Sequence, residues 1–374
     1  MPSREPPVNY PPGQIIRDKL QERGWTQGDL AEIMGRPERL VSELIGGKKQ
    51  ITAETAVGLA TAFREEDALY WMTLDCEHLL KIEKPVKKLV ERRARLYSLF
   101  PIREMLKRKW IEASDNVGVV ETNVCQFFRI KKIGDALQLF HNVPAANIYM
   151  HQAIQAAWLY RARELAETVK SEAYSEQHLR DALVKLRSLL IAPEEIRQVP
   201  HILAEAGVRF VIVESIRGAD VDGAAFWLNE TPVITLSLRI DHLNEFWFLL
   251  RHEIEHILRR DGLVEVDVEL IERILRYEEM SPEENGANYA AADFLVPIDK
   301  CNQFMSAERP YSEESILSFA QDMSVHPGII VGQLQLRAGL PTTPFRKHAI
   351  KIREIITSEA VTDGWGNVPQ TRSP

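Results

Sequence analysis

At 374 residues, with 45% hydrophobic and 27% charged side chains, the chain is long enough for two or three domains with their own cores and too apolar for wholesale disorder. No apolar run approaches the roughly 18 residues of a membrane span, and the proline-rich start, Met1 to Pro12, lacks the features of a secretory signal, so the expected location is the cytoplasm, with no membrane partner. The scattered Cys76, Cys125 and Cys301 suggest neither a disulfide framework nor a Cys-x-x-Cys zinc site, and the net charge of -8 hides a strongly basic stretch from Lys81 to Trp110 that reads as a solvated helix face.

The predicted elements begin after Pro11-Pro12-Gly13. Ile16 and Leu20 mark a first helix that Gly24 closes in a left-handed cap. Thr26 caps a second helix with Asp29 as its capping-box partner, Leu30, Ala31 and Met34 face inward, and Gly35 makes the following turn. Pro37 suits the first position of a third helix, whose inner stripe is Leu40, Val41, Leu44 and Ile45. Gly46-Gly47 ends it, and Thr52 caps a fourth helix with Ala56, Leu59, Ala60 and Phe63 inward.

Two short helices joined by a glycine turn read as a helix-turn-helix of the DNA-binding kind, in which the N-terminal part of the second helix meets base edges. The exposed positions there are Arg36, Glu38, Arg39, Ser42 and Glu43. Arg39 can contact guanine, and either glutamate can accept from cytosine N4. Gln27, Lys48 and Lys49 suit phosphates, whereas two glutamates on the reading face lower non-specific affinity. The expected partner is double-stranded DNA, bound by a homodimer on two half-sites about one helical turn apart. The alternative is a four-helix module for protein contacts or dimerisation.

From about 86 to 200 the periodicity is helical around Trp110, Trp158 and Leu183, with no chemistry on display. Val208 to Val213 then reads as a strand, followed by strands at Ala224 to Leu228 and Val233 to Leu238 with Asn229-Glu230-Thr231-Pro232 between them. Asp241 is expected to cap a long amphipathic helix, and the tail beyond about Ser358 is expected to be loose. The fold class is mainly α with an α+β part, divided as 11–80, a helical middle region 81–200, 201–345 with a small sheet, and a tail 346–374.

The long helix carries His252-Glu253-Ile254-Glu255-His256. Residues four apart project from one helix face, so His252 and His256 can direct two imidazoles at one metal ion. Glu253 lies about 100° round the helix, where its carboxylate can take a proton from water. Trp247, Leu250, Ile254, Ile257 and Leu258 recur on the packing side. A catalytic zinc, Zn2+, needs a third protein ligand. Glu284, on a later helix rich in small residues, is the choice, with Glu283 as fallback and Asn288 placed to orient a ligand. His242, Tyr289 and His326 are candidates for steadying an oxyanion. A purely structural pair of histidines is the alternative.

Pro12-Gly13, Thr26-Gln27, Leu30-Ala31, Gly35-Arg36-Pro37, Gly47-Lys48-Lys49, Thr52 and Leu69 to Leu74 resemble the HigA-type antitoxin branch of Cro/repressor-like regulators, over about residues 11 to 78. Asp222-Gly223-Ala224, Phe248 with His252-Glu253 and His256, Glu284 with Ala287-Asn288 and Ala291, and Val325 to Gln335 resemble the ImmA/IrrE family of metallopeptidases. Glu255 stands where that family often has glycine, and Gly46 stands where a regulator often has asparagine. The resemblance implies a zincin-like zinc endopeptidase domain fused to a transcriptional regulator and cutting a protein partner, such as a repressor, in a stress, mobile-element or toxin–antitoxin circuit. The rival expectations are an antitoxin-like repressor whose peptidase fold only senses or binds a protein such as a toxin, and a peptidase whose helix-turn-helix only docks the substrate.

Overall fold

The computed structural model describes residues 11–64, 67–82, 84–135, 146–261, 281–307, 311–341 and 345–364. Over them the chain is mainly helical, with one four-stranded mixed sheet in the C-terminal half. It divides into two compact units, Met1–Ala94 and Arg95–Pro374. No helix among the described residues is long and apolar enough to cross a membrane.

The first unit is built from α1 (Pro12–Arg23), α2 (Gln27–Met34), α3 (Glu38–Ile45), α4 (Ala53–Phe63) and α5 (Ala68–Ile82). Gly24 and Gly35 end α1 and α2 at φ of 66° and 64°, left-handed values that favour glycine. Thr26 and Asp29 form the reciprocal capping box that the sequence predicts. Pro37 differs from expectation by one position. With ψ at 139° it is still extended, so it caps α3 from outside and the helix starts at Glu38. The inward stripes meet as Ile16, Leu20, Leu30, Val41, Leu44, Ala56, Leu59 and Phe63, closed by Trp71 and Leu74 of α5. Gly13 lets α1 approach α3 closely, since a Cβ there would lie 2.3 Å from the Ile45 carbonyl oxygen.

The chain leaves this unit within α6 (Lys84–Leu99). The second unit continues with α7 (Ile102–Lys107), α8 (Val117–Phe127), α9 (Ala146–Ala166), α10 (Glu176–Ser188) and α11 (Val199–Glu205). Three strands follow, β1 (Arg209–Val213), β2 (Gly223–Leu228) and β3 (Thr231–Leu236), then α12 (Leu243–Arg259) and α13 (Pro282–Leu295). The unit ends with α14 (Ile298–Ala307), α15 (Glu313–Asp322), α16 (Pro327–Ala338), α17 (Arg353–Ile356) and β4 (Val361–Asp363).

The strand order is β2-β3-β1-β4, with β2 antiparallel to β3 and β1 parallel to both β3 and β4. Helices cover both faces, which is why the strands read as continuous apolar runs. Val211, Val213, Ala224, Phe226 and Val233 pack on the side of α8 and α9. Phe210, Ile212, Ala225, Trp227, Ile234 and Leu236 pack on the side of α12 and α16. Helices α7 to α9 of the middle region thus wall one face of the sheet, and α10 packs with the core on the other face.

Two expectations are corrected. The segment beyond Ser358 is not loose through residue 364: β4 pairs with β1, and Asp363, buried there, accepts hydrogen bonds from Trp110 and Arg161. Asp241 does not cap α12, whose N-cap is His242 without a side-chain bond. Its Oδ1 instead accepts from the backbone N–H groups of Ile352 and Arg353, at 2.9 and 2.8 Å. The carboxylate satisfies the orphan donors at the start of α17, an end of chain far away in sequence.

Candidate metal centre

The site is made by α12 and the helix beside it, α13. Trp247, Leu250, Ile254 and Ile257 are buried against the sheet and its surrounding helices, which fixes the rotation of α12. His252 and His256 then share another face, and both are buried. Ser281 caps α13 through its hydroxyl, with Pro282 in the first turn, so Glu284 is held at the start of that helix, facing the imidazoles.

His252 Nε2 and His256 Nε2 lie 3.0 Å apart, and the two Glu284 oxygens lie 3.2 Å from the first and 3.4 Å from the second. Nδ1 of His252 is 3.0 Å from Asn288 Oδ1, and Nδ1 of His256 is 3.2 Å from Asp261 Oδ1. Both partners are acceptors, so each Nδ1 carries a proton and donates it. In the neutral imidazoles each Nε2 therefore carries a lone pair. Two lone pairs and a carboxylate converging in a buried space repel one another unless a cation, either protons or a metal ion, lies among them.

The local electrostatics follow from this crowding. Burial by itself pulls the His256 imidazole down, but the hydrogen bond to Glu284 and the carboxylates of Glu253, Glu284 and Asp261 outweigh it and raise the group above its ordinary 6.5. With protons rather than a metal ion on the Nε2 atoms, hydrogen bonds from His252 and His256 hold the Glu284 carboxyl far below the usual range. The separations also suit a metal. Donors about 2.0–2.1 Å from a tetrahedral zinc are about 3.3 Å from one another, close to the spacings here. The donor set of two imidazoles and one carboxylate can hold such an ion, with donor atoms all within 4.8 Å.

Glu253, on α12, is buried against the beginning of β2. A Cβ on Gly223 would lie 2.8 Å from Glu253 Oε1 and 2.9 Å from Leu236 Cδ2, so the missing side chain is the seat of this carboxylate. Glu283, the fallback ligand, is exposed and is not part of the trio. Glu255 is held between Arg251 at 2.8 Å and Arg259 at 2.7 Å. Of the candidates for an oxyanion, Tyr289 and His242 are exposed, and Nδ1 of His326 accepts from Gly328 N–H at the start of α16.

No family model matches the chain. Neither the curated proteins nor the solved structures compared with it give a match.

On the first unit, Arg39, Glu38, Ser42, Lys48 and Lys49 are exposed, while Gln27, Arg36 and Glu43 are partly covered. Arg39 is tied to Glu43 at 2.8 Å, and Arg36 pairs with Glu54. The Arg39 contact holds the Glu43 carboxyl below its ordinary range. Sequence reasoning missed three residues in and around the candidate metal site: Asp261, Gly223 as the seat of Glu253, and Arg259 beside Glu255. Only Asp261 carried a local signal, as an acid five residues after the second histidine.

Proposed function

We propose that the chain is a DNA-binding regulator whose second unit is a zinc-dependent endopeptidase acting on a protein partner. The observation that carries the reading is the convergence of His252, His256 and Glu284, with Glu253 buried beside them at the sheet edge.

Zinc held by these residues supplies Lewis acidity, lowering the pKa of water toward ~7 and polarising a peptide carbonyl. Asn288 and Asp261 keep the Nδ1 protons in place, so His252 and His256 present their Nε2 lone pairs for binding. A carboxylate oxygen of Glu253 takes the proton from the attacking water and delivers it to the nitrogen of the leaving amine. The missing side chain of Gly223 leaves room for this carboxylate, whose charge acts on His256.

The DNA-binding half of the proposal rests on α2, the Gly35 turn and α3, which together present Arg39, Glu38 and Ser42 outward. A protein such as a repressor is the expected substrate, and two copies reading two half-sites is the expected assembly.

The test replaces Glu253 with glutamine in the full chain. Glu253→Gln keeps its zinc and loses about a thousandfold in the rate of cutting a protein partner encoded beside it, within the usual range for a lost general base. Equal cleavage by the variant contradicts the assignment.

A further inference from the structure

A chain of charges runs along α12 next to the imidazole pair. Glu255 sits between Arg251, one turn before it, and Arg259, one turn after it, with N···O distances of 2.8 and 2.7 Å. The carboxylate is well covered, with 14% of its side chain exposed, and Arg251 is at 12%. Burial raises the Glu255 carboxyl, but the two guanidiniums outweigh it and keep the group below its ordinary range.

Both arginines reach α13. The guanidinium of Arg259 occupies the place where a side chain on Gly286 would begin, since a Cβ there would lie 2.1 Å from Nη1 and 2.6 Å from Cζ. Arg251 stands over the ring of Phe294, 5.9 Å from its centroid. Gly286 is two residues from Glu284 and two from Asn288, the groups that face His252. Phe294 lies two turns farther along. One carboxylate on α12 therefore orients two cations that touch α13 at two heights.

Glycine inside a helix is a poor helix former, so its presence at 286 calls for a reason. Contact with Arg259 supplies one. We propose that Arg251, Glu255 and Arg259 form a positioning clamp that sets α13 against α12 and thereby places Glu284 as the third metal ligand. The inference rests on the metal centre proposed above. It also gives Glu255 a role at a place where small residues would leave both arginines without their partner. None of the clamp residues touches the reacting atoms, so they act through Glu284.

The experiment measures zinc affinity of the full chain by competition with a chromophoric chelator, together with the unfolding temperature of the zinc-free protein. Gly286→Ala displaces the Arg259 guanidinium while leaving every charge in the chain unchanged. Because alanine is the better helix former, the zinc-free variant unfolds no lower than the wild type, while its zinc affinity falls several-fold. Glu255→Ala frees both arginines and weakens zinc about tenfold, as expected for residues outside the ligand set. In a Glu284→Gln background, which lacks the third ligand, Gly286→Ala has no further effect on the residual affinity. A defect confined to general stability would not show that dependence.

Zinc affinities of both Gly286→Ala and Glu255→Ala within twofold of a zinc-binding wild type overturn the clamp alone. An equal loss from Gly286→Ala with and without Glu284 also overturns it. A wild type that takes up no zinc overturns the metal reading, and the clamp with it.

Discussion

In the proposed chemistry, a single missing side chain, that of Gly223, makes room for the general base. The carboxylate of Glu253 lies against its backbone, and a methyl group there meets both Glu253 Oε1 and the Leu236 side chain at under 3 Å. Gly223→Ala is therefore expected to lower the cleavage rate about 100-fold, the cost of a misplacement of about 1 Å, while zinc content stays at the wild-type level. Turnover measured alongside bound zinc checks this, and a rate within twofold of wild type contradicts it. His252, His256 and Glu253 were legible because their arrangement follows from helical spacing alone. Glu284 was readable as an acid near the start of a small-residue helix. Gly223 and Arg259 were not legible in these roles, since nothing in their neighbourhood along the chain shows what they touch in space. Asp261 is intermediate: it follows Arg260, whose φ of 55° ends α12 and turns the chain so that the acid meets His256.

At the scale of single elements, the face proposed to read DNA, on and around α3, is close to neutral. Arg36, Arg39, Lys48 and Lys49 are its cations, yet Arg39 is bound to Glu43 and Arg36 to Glu54. If all four neutralise phosphates, the logarithm of the DNA binding constant falls with the logarithm of salt at a slope of about 3.6, and the internal pairs make it shallower. Glu43→Gln releases Arg39 and is expected to raise DNA affinity several-fold and steepen the slope. Anisotropy titrations with a duplex between about 50 and 200 mM salt measure both; unchanged affinity and slope contradict the assignment of this face. The caps at Thr26, Gly24 and Gly35 could be read in advance because capping is local. Asp241 shows the limit of such reading. An acid just before an apolar helix looks like its cap, but the backbone donors of Ile352 and Arg353 claim it.

For the whole molecule, the sheet explains why the chain's last described residues matter. Val361–Asp363 is too short to announce itself by alternation, and it becomes a strand only through pairing with β1. Removing residues 359–374 uncovers the edge of β1 and strips Trp110 and Arg161 of the Asp363 carboxylate. The truncated chain is expected to lose several kcal/mol of stability, in line with the loss of a buried charge partner, and to aggregate through the open edge. Urea unfolding with light scattering tests this, and a truncated chain as stable and monodisperse as the full one contradicts it. The central claim concerns one ion held by two imidazoles and a carboxylate brought in by another helix. Its most direct test is the zinc content of the full chain, purified without chelator, beside that of the His252→Ala/His256→Ala double variant. The account predicts one tightly held zinc per wild-type chain and none in the folded double variant; a zinc-free wild type, or a double variant that keeps the metal, contradicts it.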